Sequence, residues 1–195
     1  HLREFGIDVE YDPQLAVLDR RTKSEEELAH LREAQAVTEQ AMEFACRTIC
    51  AATPDAEGIL SDGDTVLTSE LMRQRITSFL IGKNCSNHHD SIVVTVPHVA
   101  DCHHHGTGPL CTGLPVIVDI FPRVNATGYW GDCTRTAVNG EPSPEIVQMH
   151  AAVVKAKADA IVALRVGATG DAVHQVTVAS ITGSGYVMGL PPEGA

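Results

Sequence analysis

Clustered positive charge is what this chain lacks most clearly. Lys and Arg number 14 against 25 Asp and Glu, which gives a formal net charge of −11 with histidine neutral. The basic residues are scattered, apart from a short run at residues 20–23. Surfaces that bind nucleic acid or anionic membranes depend on clustered Lys and Arg. We therefore expect neither nucleic acid nor a membrane as a partner.

Long apolar runs and aromatic residues are also scarce. No stretch approaches the roughly 20 apolar residues of a membrane-spanning helix, and the polar start of the chain does not resemble a signal peptide. Aromatic residues make up 4% of the chain, so a core must consist mainly of Val, Ile, Leu and Ala. The six cysteines include no CxxC pair, which argues against a structural zinc site. Reduced cysteines and a cytoplasmic location are the expectation.

What remains is a globular composition with a clear order of elements. The chain has 195 residues, 44% hydrophobic and 20% charged, enough to bury a core. Ser24 followed by Glu27 has the pattern of a capping box and predicts a helix that runs to about Ala51. Further helices are predicted at residues 68–82, 144–164 and 169–182. Strands are predicted at residues 91–96, 115–120 and 128–138, the last two forming a hairpin.

The remaining segments are predicted to be connections. Residues 1–20 do not continue into the first long helix, and we interpret them as a linker or the tail of a preceding domain. Residues 54–64 and 191–195 have loop composition, rich in Gly, Pro and acidic residues. A second unit is therefore expected to start at residue 21.

Two acidic residues lie in segments that otherwise predict buried strands. Asp119 ends the apolar run Val116–Ile117–Val118, and Asp132 is placed in the middle of the predicted strand 128–138. A buried carboxylate is costly unless it is paired or binds a metal. Neighbouring strands of a hairpin can direct both acids at one point. Strand alternation puts Thr134 on the same face as Asp132, as a supporting residue; the alternative is that Asp132 pairs with Arg135 or caps a turn.

Three consecutive histidines, His103, His104 and His105, precede the Asp119 strand. Three adjacent histidines cannot all face one point, whether the backbone is extended or turned. One or two of them are expected at a site, and the others in solvent. Apolar strands on both sides make an affinity tag an unsuitable explanation for the run.

The segments around both acids are similar to those of the metallopeptidase family M24. That family has one Asp on a strand and a second in a strand of pattern GYxxDxTRT; the matching segments here read VIVDIFPR and GYWGDCTRT. The segment RRTKSEEELAHLREAQAVTEQAM resembles the entry to the family's catalytic domain. The resemblance extends over residues 20–195. It implies an α+β pita-bread (creatinase/aminopeptidase) fold, with residues 21–195 as its first part: an antiparallel sheet with helices on the outer face.

The resemblance also implies a role for individual residues. Asp119 would be a terminal ligand of one metal ion, and Asp132 would bridge two ions, Mn most readily, with Co and Zn as alternatives. His103 would contact the substrate, with His104 as the alternative. The implied reaction is hydrolysis of an N-terminal peptide bond, of the Xaa-Pro type, by water that the two metal ions activate. A peptide substrate is the implied partner, and a homodimer the implied assembly.

Several alternatives stay open at this point. The family's remaining ligands, one His and two Glu, would lie beyond Ala195, so the chain is expected to be truncated before the second half of the domain. A domain before residue 21 favours aminopeptidase P or prolidase over methionine aminopeptidase, without separating the first two. A pita-bread pseudoenzyme or binding protein without a complete metal site is the main alternative. Metal-free, creatinase-like hydrolysis would require both acids to be replaced.

Overall fold

Helices and short strands alternate along residues 2–189, the part of the chain that the computed structural model describes. The helices are α1 (Val17–Arg21), α2 (Glu25–Ala51), α3 (Ser69–Gly82), α4 (Pro144–Ala163) and α5 (Gly170–Gly183). The strands are β1 (Thr53–Pro54), β2 (Leu60–Asp62), β3 (Thr65–Val66), β4 (Cys85–Ser86), β5 (Ile92–Val94), β6 (Pro115–Ile120), β7 (Arg123–Val124) and β8 (Cys133–Val138). The four long helices confirm those predicted from the sequence.

An antiparallel sheet of three strands, in the order β5–β6–β8, is the centre of the fold. In β6, Val116, Val118 and Ile120 are buried, and the residues between them are half-buried. This alternation arises because successive side chains of a strand point to opposite faces. The buried face packs against α2, and the other face carries Asp119.

The long helix α2 begins at a capping box. Ser24 Oγ accepts from the backbone N–H of Glu27, and the Glu27 carboxylate accepts from the backbone N–H of Ser24. Together these bonds satisfy two of the N–H groups that a helix start leaves free. The buried stripe of α2 is rich in small residues, which allow the helix to lie close to the sheet. Its buried residues are Ala34, Thr38, Ala41, Met42, Ala45 and Ile49.

The strand boundaries differ from the predictions in three places. The strand predicted at residues 128–138 begins only at Cys133, because Gly128 has φ +78° and residues 129–132 turn toward α2. The strand predicted at 91–96 is limited to Ile92–Val94. The loop predicted at 54–64 is wrong in part, since β1, β2 and β3 form a small antiparallel sheet there. Short strands of this kind carry little pattern of their own.

The two ends of the chain bear on the predicted domain division. Residues 2–14 are exposed and include a short 3₁₀ helix, Leu2–Phe5, and the predicted boundary at residues 20 and 21 falls within α1. The division into residues 1–20 and 21–195 stays a prediction. The loop predicted at 191–195 lies outside the described residues. Within residues 2–189, no helix is both long and apolar enough to cross a membrane.

Candidate functional site

Asp119 and Asp132 lie near each other, one on β6 and the other just before the adjacent strand β8. Asp119 is on β6, where its Cα partner on β8 is Thr134. Asp132 directly precedes β8, so the prediction that it lies in mid-strand is wrong. The expectation of buried acids is also corrected: Asp119 is half-buried, and Asp132 is exposed. The turn of residues 129–132 toward α2 explains why Asp132 leaves the pleated, buried part of the strand.

The two carboxylates influence each other electrostatically. Although Asp132 as a residue is exposed, its carboxyl group is partly desolvated, and this raises the Asp132 pKa. The negative charge of Asp119 raises it further. Within residues 2–189 the carboxylate of Asp132 accepts no hydrogen bond; only the backbone N–H of this residue has a partner, Gln35 Oε1 at 3.2 Å. The pair therefore has unsatisfied acceptor capacity and mutual repulsion, both of which a cation would relieve.

Thr134 supports a different acid from the one predicted. Its hydroxyl donates to Asp119 Oδ1 at 2.5 Å, because the two residues are direct cross-strand partners in β6 and β8. Asp132 lies two positions before Thr134, outside β8, and among the described residues no hydrogen bond joins the two. The hydrogen bond fixes the orientation of the Asp119 carboxylate, and its second oxygen accepts no hydrogen bond from residues 2–189.

The structure rejects the interpretation that Asp132 pairs with Arg135. The Arg135 guanidinium donates from Nη1 to the carbonyl oxygen of Thr134 at 2.7 Å. No ion pair joins Arg135 to either acid in the part of the chain that the structure describes. The positive charge that would have neutralised the acid pair is thus directed elsewhere.

Helix α2 determines where Asp132 lies, which the sequence did not reveal. A Cβ atom on Gly131 would lie 2.0 Å from Thr38 Oγ1 and 2.6 Å from the carbonyl oxygen of Ala34, so only glycine permits this approach. The Thr38 hydroxyl donates to that same carbonyl at 2.8 Å. Gln35, one residue further along α2, then accepts from the Asp132 N–H. A glycine inside a strand pattern is the one sequence signal for such a close contact.

Tyr129 gives the same turn a second attachment to α2. Its hydroxyl donates to Glu27 Oε1 at 3.2 Å, and its ring lies against His30 with centroids 5.4 Å apart. Glu27 thus serves both the capping box of α2 and the turn before Asp132. The bonds from the backbone of Ser24 and from Tyr129 lower the Glu27 pKa.

The three consecutive histidines have three different environments. His103 is exposed, with Nδ1 3.8 Å from Cys102 Sγ. His104 stacks on His98 with ring centroids 4.0 Å apart, and its Nδ1 accepts from the backbone N–H of Gly106 at 2.9 Å. His105 lies with Nδ1 3.4 Å from the carbonyl oxygen of Ser91. Among the described residues, no direct contact joins these rings to Asp119 or Asp132.

Arg73 of α3 anchors the end of the histidine-containing loop. Its Nη1 donates to the carbonyl oxygens of His105 and Gly106 at 2.7 and 2.8 Å, and its Nε forms an ion pair with Asp90 at 3.1 Å. A Cβ on Gly106 would lie 1.9 Å from the carbonyl oxygen of Val93. The loop therefore lies tightly against β5 at this point, next to the strand that carries Asp119.

Comparison with known proteins gives a consistent set of likenesses. Residues 29–192 match the family model described as Metallopeptidase family M24. A Probable dipeptidase PepE from Mycobacterium tuberculosis is 37% identical over 83 residues, which are 42% of this chain and 22% of that protein. The X-Pro aminopeptidase from Thermotoga maritima MSB8 is similar in structure, with TM-score 0.76, 21% identity, and coverage of 95% of this chain and 49% of that one.

A second solved structure leads to the same fold. The Xaa-Pro dipeptidase from Bacillus anthracis has TM-score 0.72 and 22% identity, covering 94% of this chain and 48% of that one. The chain thus spans about half the length of the solved structures that it matches. These likenesses confirm the predicted fold class, an α+β pita-bread fold.

Proposed function

The chain belongs to the metallopeptidase family M24, and on that premise we propose that it contributes to metal-dependent hydrolysis of an N-terminal peptide bond. The single observation that carries this proposal is the placement of Asp119 and Asp132. Asp119 lies on β6 and Asp132 directly precedes the adjacent strand β8. Desolvation of the Asp132 carboxyl group, and then the charge of Asp119, raise the Asp132 pKa. An acid pair with that repulsion, which no Arg of residues 2–189 neutralises, is typical of a cation site.

The donor chemistry of the acid pair fits a hard divalent ion. Carboxylate oxygens suit Mn²⁺, and Co²⁺ or Zn²⁺ are alternatives. We propose that Asp119 would hold one ion and that Asp132 would be shared by two, with further ligands besides these two acids. When bound, such ions supply Lewis acidity for activating water and polarising the scissile carbonyl. Thr134 holds one oxygen of Asp119 in place, and Gln35 holds the Asp132 backbone.

His103 is the residue that we propose for contact with the substrate. The environment of His104 favours this choice, because its ring stacks on His98 and its Nδ1 already accepts from Gly106. His103 is exposed and has only the Cys102 thiol beside its ring. It can therefore reach a peptide without losing a structural hydrogen bond.

The names of the related proteins support a proposal for the substrate class. The printed names of the structural neighbours include X-Pro aminopeptidase and Xaa-Pro dipeptidase, so we propose Xaa-Pro peptides as substrates, with a homodimer as the working assembly. All six cysteines lie among the described residues and are unpaired, which supports the cytoplasm as its location. A non-catalytic pita-bread protein is the alternative, but it gives no reason for keeping two mutually repelling acids.

The test is manganese-dependent cleavage of Xaa-Pro peptides by the purified protein and its variants. Asp132→Ala should abolish cleavage and reduce bound manganese while circular dichroism stays unchanged. Asp64→Ala, which removes an exposed acid from the turn between β2 and β3, is the matched control and should keep full activity. His103→Ala should lower turnover at unchanged metal content. Full activity of Asp132→Ala would contradict the proposed role of the acid pair, and an effect of His104→Ala alone would move the substrate contact to His104.

A further inference from the structure

A second group of metal-binding side chains lies in the loop between β5 and β6. Asp101, Cys102 and His103 each offer one ligand atom, and these atoms all lie within 4.8 Å of one another. All three residues are exposed, so an ion can reach them from solvent. The group is separate in sequence from the acid pair, and no direct contact joins the two within residues 2–189.

The backbone of the loop explains why three consecutive side chains converge. A 3₁₀ turn, His98–Ala100, is followed by a bond from the Asp101 N–H to the His98 carbonyl at 3.0 Å. The His104 N–H then donates to the Asp101 carbonyl at 3.1 Å. In an extended strand neighbouring side chains would point to opposite sides, whereas this curled backbone brings them to one side.

The distances fit a shared ion. Bonds of about 2.3 Å from sulfur and about 2.0 Å from imidazole nitrogen to a tetrahedral zinc ion place the two donors roughly 3.5 Å apart. The Cys102 Sγ and His103 Nδ1 atoms are 3.8 Å apart. The Asp101 carboxylate already faces this turn, because its Oδ1 accepts from the His103 N–H at 3.0 Å. Closure around an ion therefore requires only small side-chain movements.

The type of donor distinguishes this group from the acid pair. Sulfur and imidazole nitrogen select Zn²⁺ and other thiophilic ions, whereas carboxylate oxygens suit harder ions such as Mn²⁺. Three protein ligands leave a tetrahedral zinc ion with one open position, for water or another group. The net charge of −11 also favours binding of a cation anywhere on the chain.

We propose that Asp101, Cys102 and His103 form a second metal site, for Zn²⁺ or a similar thiophilic ion, and that zinc bound there inhibits the enzyme. The inhibition follows from His103, whose imidazole is a zinc ligand in this state and is no longer available to the substrate. This second part rests on the proposed function of His103. The first part, metal binding by the loop, stands without it.

Cobalt substitution tests the metal site directly. Co²⁺ is added to the manganese-loaded protein under a phosphine reductant, and the thiolate-to-cobalt charge-transfer absorption is recorded. The wild-type protein and Cys50→Ser, which removes a different exposed thiol, should show the band. Cys102→Ser should lack it, and Asp101→Asn should weaken cobalt affinity by at least about tenfold, since even indirect changes around metal ligands often reach that size. A band that persists in Cys102→Ser, or no band in the wild-type protein, would overturn the site.

Zinc titration of peptidase activity tests the regulatory part. The rate of each variant with zinc is divided by its own zinc-free rate at saturating manganese. Differences in basal rate between variants therefore do not affect the comparison. The zinc concentration for half-inhibition should rise at least about tenfold in Cys102→Ser and stay unchanged in Cys50→Ser. Equal inhibition of both variants would reject regulation through the loop. If the protein cleaves no peptide at all, the proposed function fails, while the cobalt band still decides the metal site.

Discussion

The sheet half of the molecule, residues 24–139, and the helix pair formed by α4 and α5 bury their apolar side chains to very different extents. The main hydrophobic cluster lies entirely between Ala34 and Ala137. In the helix pair, only Ala152, Ala156 and Ser180 are buried. Its exposed apolar residues include Val147, Met149, Val153, Val154, Ile161, Val162, Leu164 and Val176. The sheet half thus buries its large apolar side chains, whereas the helix pair leaves most of its own exposed.

Different forces must therefore hold the two regions together. The sheet half has a core of Leu, Ile, Val and Met that is removed from water, so hydrophobic burial dominates its stability. In the helix pair, small residues allow the two helices to approach, and a polar cluster of Lys155, Asp159 and Ser180 connects them. Contacts of this second kind contribute less per residue. Substitutions of the same chemistry should consequently have unequal effects in the two regions.

The largest expected contrast is between two leucine truncations. Leu80 of α3 is fully buried, and Leu164 at the end of α4 is 70% exposed. Leu80→Ala should lower the free energy of unfolding by about 2–5 kcal/mol, because it removes buried methyl groups and leaves a cavity. Leu164→Ala should change it by no more than about 0.5 kcal/mol. Urea denaturation followed by circular dichroism measures both; equal losses would mean that Leu164 is covered in solution.

A pair of glycines gives the next contrast. Gly131→Ala forces a Cβ against Thr38 and the Ala34 carbonyl, and overpacking of this kind lowers the free energy of unfolding by about 1–3 kcal/mol. Because Gly131 precedes Asp132, manganese affinity should fall as well. Gly170→Ala in α5 meets no atom within 4 Å and should leave stability unchanged or raise it by up to about 1 kcal/mol. Thermal unfolding with and without manganese distinguishes the two, and a tolerated Gly131→Ala would show that α2 can move away from the turn.

Asn139 provides a smaller test of the sheet half. Its Nδ2 group donates to the carbonyl oxygens of Ile49, Cys50 and Ala52, at 2.8–3.1 Å. These bonds give hydrogen-bond donors to carbonyl groups at the C-terminal end of α2. Asn139→Ala should lower the free energy of unfolding by about 1–3 kcal/mol, because these carbonyls lose their buried donor. Asn125→Ala, at an exposed position, is the control and should have little effect. Equal stability of the two variants would indicate that water replaces the Asn139 amide.

The difference between the regions also explains what the sequence could predict. Helical spacing and N-caps such as Ser143 predicted α4 and α5 as well as they predicted α2 and α3, because both signals are local. The face of a helix that becomes buried depends on its tertiary partners. The sequence of α4 therefore does not indicate that its apolar residues are exposed. The short strands β1–β4 and β7 were missed for the same reason, since two or three residues cannot show an alternating pattern.

The candidate site shows the same limit at the level of single residues. Acids and histidines at a strand end, together with a family resemblance, led us to propose Asp119, Asp132 and His103 as site residues. The hydrogen bond from Thr134 to Asp119 depends on strand register, which places these two residues opposite each other. Strand alternation alone assigned Thr134 to Asp132. Gln35 lies 97 positions from Asp132 in sequence. The hydrogen bond that its side chain accepts from the Asp132 N–H could therefore not be inferred from any local pattern.

The smallest and most specific effect is expected from the polar cluster of the helix pair. Asp159 Oδ2 accepts from Lys155 Nζ at 2.7 Å and from Ser180 Oγ at 2.6 Å. The bond from Lys155, and then that from Ser180, lowers the Asp159 pKa below its ordinary value of 3.8. A carboxyl group whose pKa is lower in the folded state stabilises the fold above its unfolded pKa, and this contribution disappears as the pH falls through the folded pKa.

Asp159→Asn should therefore lower the melting temperature slightly at neutral pH, and the difference from the wild-type protein should shrink as the pH falls below about 3.8. Thermal unfolding of both proteins from pH 7 down to about pH 2 measures this. Asp64→Asn makes the same charge change in an exposed turn of the sheet half and controls for net charge. If the difference for Asp159→Asn does not depend on pH, the cluster does not connect α4 to α5 through its charge. The helix pair would then depend on the close contact of its small residues alone.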